Sequence, residues 1–344
     1  MSKRKPTSQE IANIAGVSQP TVSRALRNSP LVSEETRAKI FAIARELNYP
    51  LDNLNGHEAE ISKKSFTVIF AENPADSIEG LSPFFLALLN AIVKKAARLD
   101  YGIHLGLRHA TKNWNLALDE ALHHGCGIIF LGNQEYVTYK DKLLAMRNRE
   151  IPFTAWGPVL PNQHGVFIGF DNVDGGFQAT NHLIKLGHEK IAFIGNIGDF
   201  RPEFSARYQG YSKALLQADI IVDPKLRTDA QSNDQDGYLA IKRLFDNKHE
   251  FSAVVCASDI IAISVIKALK ELGKRIPQDI AVTGFDDIPI AGYLNPALTT
   301  VKQDTKRAGE LLVEQLVHMT NGSELQSIEL PVELILRQTC GHSM

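Results

Sequence analysis

From Phe66 onward the sequence alternates short apolar runs with amphipathic stretches of helical length. This alternation limits the fold of the chain's body more than any other feature. "FTVIFA", "GIHLGLR", "GIIFLG" and "IPFTAW" read as strands, with helical patterns between them near 84–99, 113–124 and 138–149. A second set follows, "GVFIGFD", "KIAFIGN", "FSAVVCAS" and "DIAVTGF", again with helices between. Strands separated by helices return parallel to one another, and continuous apolar runs mark strands covered on both faces. The pattern predicts two doubly wound lobes, over 66–170 with 304–330 and over 171–303 with 331–344, with a cleft between them.

Sheets of this kind bind ligands beyond the carboxyl ends of their strands. The residues at those ends are polar or aromatic. Trp156 and Gly157 end one strand, Asp171 follows another, Ser258 and Asp259 follow a third, and Asp286 and Asp287 follow a fourth. Phe84 and Phe85 open the first helix of the body, and Arg207 sits in "PEFSARYQGY". Carboxylates and a guanidinium fork engage adjacent hydroxyls two at a time, and aromatic rings stack on the apolar face of a sugar. Phe84 and Phe85 also suit core positions. Asp287 suits a helix cap, and Asp259 is expected to cap the helix over 260–272.

The head of the chain has a different character. Residues 1–50 hold eight Lys/Arg against four acids, a net of +4 in a chain whose total is −2, so the rest carries −6. A basic head on an acidic body points to a polyanion partner for the head alone. "TSQEIANIA" has Thr7 followed three residues on by Glu10, the spacing of a capping box, and Ile11, Ile14 and Ala15 suggest one apolar face. Gly16 suits a turn, Ser18 can cap the next helix, and Pro20 falls in its first turn, where a missing N–H is harmless. Val22, Ala25 and Leu26 form the inward face. Ser33 caps a third helix in which Ile40, Ile43, Ala44 and Leu47 recur at helical spacing.

Two helices joined by a short turn and buttressed by a third make a helix-turn-helix, whose second helix enters the major groove of double-stranded DNA. Gln19, Pro20, Ser23, Arg24 and Arg27 then face outward. Arg and Gln reach guanine and adenine edges two bonds at a time. Thr7, Ser18, Ser33 and Thr36 lie at or near helix N-termini, where hydroxyls and free N–H groups hold phosphate.

"TSQEIANIAGVSQPTVSRALRNSPLVSEETRAKIFAIARELNY", residues 7–49, closely resembles the DNA-binding headpiece of the lactose-repressor (LacI/GalR) family of bacterial transcription regulators. The resemblance implies that Gln19 and Pro20 hold the two variable base-reading positions. It also implies that Arg24, after the Thr21-Val22-Ser23 triplet, is the recognition-helix arginine. Pro20 offers no side-chain hydrogen bond and reads only shape or a thymine methyl.

The likeness continues through "LSPFF", "GFDNVDGG", "HLIKLGHEKIAFIG", "ARYQGY", "ASDIIAISVIKALKELGKRIPQDIAVTGFDD" and "PALTTVKQD". These resemble the sugar-sensing, periplasmic-binding-protein-like effector body of the same family. By that resemblance Arg207 and Asp286 are ligand contacts, with Ser258 and Phe85 as lesser ones. A purine or nucleoside is the second ligand class it allows. The loop "TDAQSNDQDGY" lacks the aromatic often found before its Gly, so Ser232 leaves room for a larger ligand.

The family's hinge helix is expected after Tyr49, but its alanine, basic and leucine positions hold Asn55, Gly56 and Glu58. A helical Gly costs about 1 kcal/mol, and a Glu cannot wedge between bases beside phosphates. The segment 51–65 is therefore expected to be a looser linker or to place its wedge differently, with Leu54 as the substitute if the register moves. The tail "LILRQTCGHSM" has no leucine heptads. A homodimer on a palindromic operator is the expected assembly.

Other classes fit less well. "MSKRKPTSQE" leads into no apolar run, so neither a secretory leader nor a membrane span is expected, and the protein reads as cytoplasmic. That disfavours an exported sugar-binding protein. Cys126, Cys256 and Cys340 form no CxxC pair and read as reduced thiols, two of them in the core. His123 and His124 are neighbours on an expected helix and diverge by about 100°. No P-loop, nucleophile elbow or GxGxxG follows a strand. Neither an enzyme nor a bound cofactor or metal is expected.

Overall fold

The computed structural model describes residues 6–26, 31–47, 49, 64–70, 82–106, 118–119, 122, 125–131, 136–198, 202–233, 235–323 and 325–341. The linker expected to be loose lies almost entirely outside them, as does Arg27. The chain forms two compact units, Met1–Ser65 and Phe66–Met344.

The first unit contains α1 (Ser8–Ala15), α2 (Gln19–Leu26) and α3 (Glu34–Glu46). The capping box at the start of α1 is complete. Glu10 N–H donates to Thr7 Oγ1, and Thr7 N–H donates to the Glu10 carboxylate at 2.8 Å. Gly16 ends the helix at φ 72°, the left-handed region that favours glycine. Ile11, Ala12, Ala15, Val22, Ala25, Leu26, Val32, Ile40, Ile43 and Ala44 form the core. Ile14 is not part of it and is 56% exposed. At 100° per residue Ile11, Ala12 and Ala15 share one side of α1, and Ile14 falls off its edge.

The second unit holds two six-stranded sheets, ordered β11-β5-β4-β3-β1-β2 and β12-β10-β9-β8-β6-β7. The first contains β1 (Ser65–Phe70), β2 (Gly102–Gly106), β3 (Gly127–Leu131), β4 (Phe153–Trp156), β5 (Val166–Phe170) and β11 (Ile328–Leu330). The second contains β6 (Ile191–Ile194), β7 (Arg227–Thr228), β8 (Ala253–Cys256), β9 (Ala281–Asp286), β10 (Thr299–Lys302) and β12 (Glu333–Ile335). Parallel pairing dominates both, and β10 with β12 is antiparallel. The helices are α4 (Pro83–Arg98), α5 (Tyr136–Asn148), α6 (Asn172–Lys185), α7 (Pro202–Gln217), α8 (Asp236–Asp246), α9 (Asp259–Glu271) and α10 (Thr305–Thr320). The helix expected over 113–124 lies mostly outside the described residues; 118, 119 and 122 are helical.

One grouping read from the pattern changes. "GVFIGFD" heads the second set of strands, while the expected bounds leave 166–170 in the first lobe; it supplies β5 of the first sheet, parallel beside β4. The connection 157–165 contains no helix, so alternation alone gave no sign that these strands are neighbours. Strands β7, β10, β11 and β12 run for two to four residues, too short to show a period. Phe84, Trp156 and Phe170 from one lobe and Phe285 and Val301 from the other share an apolar cluster, which joins the lobes beside the cleft.

Candidate nucleic-acid face and interlobe ligand site

In the head, Thr7, Ser18, Gln19, Pro20, Arg24 and Ser33 are exposed, while Thr21, Ser23 and Thr36 are half-buried. Ser18 and Thr21 hydroxyls share a hydrogen bond at 2.8 Å, and Ser33 donates to Thr36 Oγ1 at the same distance. Each pair sits at the first turn of a helix, where N–H groups lack helical partners. Gln19 Nε2 donates to Ser8 Oγ at 3.0 Å, which brings the N-terminal ends of α1 and α2 together. Ser8 was not singled out from the sequence. It precedes no apolar landmark and acquires its place only through this contact.

In the body, Arg207 on α7 is 5% exposed and held from several sides. Its Nε donates to Asn172 Oδ1 at 2.9 Å, one Nη donates to the Ala257 carbonyl, and that nitrogen lies 3.5 Å from Asp286 Oδ1. The guanidinium carbon stands 3.7 Å over the Phe285 ring. Asp286 Oδ1 also accepts from Gln303 Nε2 at 2.7 Å.

Asp286 and Gln303 of this cluster line a cavity of about 400 Å³ between the lobes, and Arg207 stands behind Asp286 rather than on its wall. Phe84 lines it from the first lobe. Asp286, Asp287, Gln303 and Thr305 line it from the second lobe and the return to the first. A carboxylate, a carboxamide and a hydroxyl beside an aromatic edge suit a small polyhydroxylated molecule.

Not every expected residue reaches the cavity. Trp156 is buried behind Phe84, the ring centroids 5.4 Å apart, and packs edge-on against Phe170. Phe85 is half-buried and meets Phe84 edge-on. Asp171 caps α6 by accepting from Asp174 N–H at 2.8 Å. Ser258 is buried, and its hydroxyl is 2.9 Å from that of Ser232.

Two cap assignments are corrected. Ser258, not Asp259, caps α9 by accepting from Ile261 N–H. Asp259 is the first residue inside that helix, which turns its carboxylate toward the sheet. Asp287 caps nothing; it pairs with Arg337 at 2.7 Å because its backbone, at φ 52°, turns it toward the C-terminal segment. Asn172 and Gln303 were missed. Both stand in quoted motifs, "DNVDGG" and "PALTTVKQD", but an amide carries no charge signal, and its partner appears only on folding.

Residues 7–50 match the family model described as "Bacterial regulatory proteins, lacI family", and residues 180–340 match "Periplasmic binding protein-like domain". The HTH-type transcriptional repressor PurR of Yersinia pestis bv. Antiqua (strain Antiqua) is 30% identical over 345 residues, covering 97% of this chain and 96% of its own. The HTH-type transcriptional regulator CelR of Thermobifida fusca is 28% identical over 344 residues, covering 98% and 99%. A solved transcriptional regulator CelR–cellobiose complex superposes with TM-score 0.69 at 27% identity, covering 97% of this chain and 100% of that one. The lac repressor dimer bound to operator and the anti-inducer ONPF superposes with TM-score 0.67 at 24% identity, covering 98% and 99%, a likeness of fold.

Proposed function

Because the chain belongs to the lacI family of bacterial regulatory proteins, we propose that it is a sequence-specific DNA-binding transcriptional repressor of carbohydrate-utilisation genes, relieved or strengthened by a small sugar bound between its lobes. The observation that carries the sugar reading is the Arg207–Asp286–Gln303 cluster at the rim of a cavity of about 400 Å³ walled by Phe84. Asp286 is the acceptor edge of that cluster. Arg207 holds its charge in place, and Gln303 ties it to the strand that leads back to the first lobe. The CelR–cellobiose complex, similar in fold, supports a carbohydrate as the effector class.

The sugar acts by binding one degree of lobe closure more tightly than another, and operator affinity changes by that same differential free energy. The head reads the operator through Gln19, Pro20 and Arg24 and holds its phosphates through Thr7, Ser18, Thr21, Ser33 and Thr36. A cytoplasmic homodimer on a palindromic operator completes the reading, supported by the operator-bound dimer of similar fold.

Fluorescence anisotropy on DNA from the gene's own upstream region tests this. It is run across a salt series, with cellobiose, ribose, hypoxanthine and adenosine as probes. Tight, sequence-selective binding with a steep salt slope, altered by a sugar, is the expected result. Alteration by hypoxanthine or adenosine alone would replace the sugar with a purine. Absence of selective DNA binding would overturn the proposal.

A further inference from the structure

The backbone that presents Asp286 is unusual. Asp286 has φ 114° and Asp287 has φ 52°, two consecutive non-glycine residues on the positive side. L-residues avoid this region, so such a turn persists only where surrounding groups hold it. The group that holds it comes from another element. As the chain leaves the turn, Ile288 N–H donates to Asp259 Oδ2 at 2.9 Å. The other oxygen of the same carboxylate accepts from the Thr300 hydroxyl at 2.5 Å, on β10 and three residues before Gln303. One side chain at the start of α9 therefore grips both segments that deliver Asp286 and Gln303 to the cavity, where they meet at 2.7 Å.

Three further facts separate Asp259 from an ordinary helix-start aspartate. Ser258 already caps α9, so the carboxylate is not needed there. Asp259 is fully buried and does not line the cavity. β9 is also hollowed to receive it: a Cβ on Gly284 would stand 2.2 Å from Asp259 Oδ1. Burial, and next the charge of Asp286, push the Asp259 carboxyl well above the usual carboxylate range. Buried acids are retained against such opposition only when their hydrogen bonds are satisfied, as both of these are.

We propose that Asp259 is the positioning residue of the effector site: it holds the Asp286–Ile288 turn and β10 in the arrangement in which Asp286 and Gln303 face the cavity, without touching the effector. This rests on the effector reading above. The corollary is that Gly284 is required as the socket of that carboxylate.

The test uses the full chain with Asp259→Ala, Asp259→Asn, Gly284→Ala and Thr300→Val. Each is followed by amide hydrogen exchange and by calorimetric titration with whichever of cellobiose, ribose, hypoxanthine or adenosine binds the unsubstituted protein. Asp259→Ala and Gly284→Ala are expected to speed exchange at Ile288 by tenfold or more and to weaken the probe at least tenfold. Thr300→Val is expected to do the same to a lesser degree. Asp259→Asn keeps an acceptor for Ile288 N–H and a group for Thr300, and is expected to restore most of both. Once Asp286→Asn is present, Asp259→Ala should cost less probe affinity than it does alone, the remainder coming through Gln303. A merely structural residue would add its loss to that of Asp286, and such additivity overturns the proposal. So does unchanged exchange at Ile288 in both Asp259→Ala and Gly284→Ala. If no probe binds the unsubstituted protein, the effector reading is at fault, and exchange at Ile288 decides the positioning by itself.

Discussion

Gln19 and Arg24 lie five residues apart on α2, about 1.4 turns, and their surroundings differ. Gln19 is tethered by Ser8, whereas Arg24 is exposed and makes no ion pair with another described residue. Arg24→Ala is therefore expected to weaken the chain's specific operator about 10- to 100-fold, the equivalent of about 1–3 kcal/mol for one base-reading arginine. The loss should be smaller on unrelated DNA of the same length, which anisotropy on both duplexes measures. A second residue-scale expectation concerns acid. His188 shares a hydrogen bond with Ser252 at 2.8 Å, and burial lowers its pKa from the ordinary 6.5. Its neutral form is favoured in the fold, so its contribution is present above pH 6.5 and is lost as pH falls through the lowered value. Between pH 7.5 and 5 the unsubstituted body should lose more unfolding free energy than His188→Gln, read from urea melts at each pH. Single residues were legible where charge or a φ requirement announced them, as with Arg207, Asp286 and Gly16. Asn172, Gln303 and Ser8 were not, because each matters through a partner that folding supplies.

Among the elements, the seam between α6 and α7 decides where Arg207 stands. A Cβ on Gly210 would lie 2.0 Å from the Val173 carbonyl, and one on Gly176 would lie 2.1 Å from the Arg207 carbonyl oxygen. Replacing a helical Gly by Ala ordinarily gains about 0.5–1 kcal/mol. Here a backbone-on-backbone clash opposes that gain, and overpacking costs about 1–3 kcal/mol. Gly210→Ala is expected to lower the melting temperature of the body and to weaken effector binding through displaced Arg207, both visible in a thermal-shift titration. In the head, Thr7→Ala removes the reciprocal cap of α1 and should cost about 1 kcal/mol of head stability, measured by calorimetry. Helix starts were legible because caps are local chemistry. Strand membership was less so: β5 fell in the second set of strands though inside the first lobe's expected bounds, and β10–β12 went unread, since pairing is settled by partners distant in sequence.

At the scale of the molecule, the two compact units carry separate cores. Calorimetry of the full chain should accordingly show a head transition sensitive to Thr7→Ala and a body transition that is not. A bound effector at 100 times its Kd should stabilise the body by about 2.7 kcal/mol and leave the head transition in place. Repetition of that scan with operator DNA should move the head transition upward.

The sequence by itself determined the division into a basic helical head and a strand–helix body. It also determined the caps that start the helices, the carboxylates at strand ends and the arginine of "ARYQGY". All of these follow from local periodicity, backbone preference and charge, which act over a few residues. Only the tertiary structure decided that Asp286 meets Arg207 and Gln303, that Trp156 lies behind Phe84 rather than on the cavity, and that Asp259 turns from its own helix toward β10. Those outcomes depend on which elements pack side by side, and in a parallel sheet the neighbours are chosen by burial across long loops rather than by adjacency in the chain.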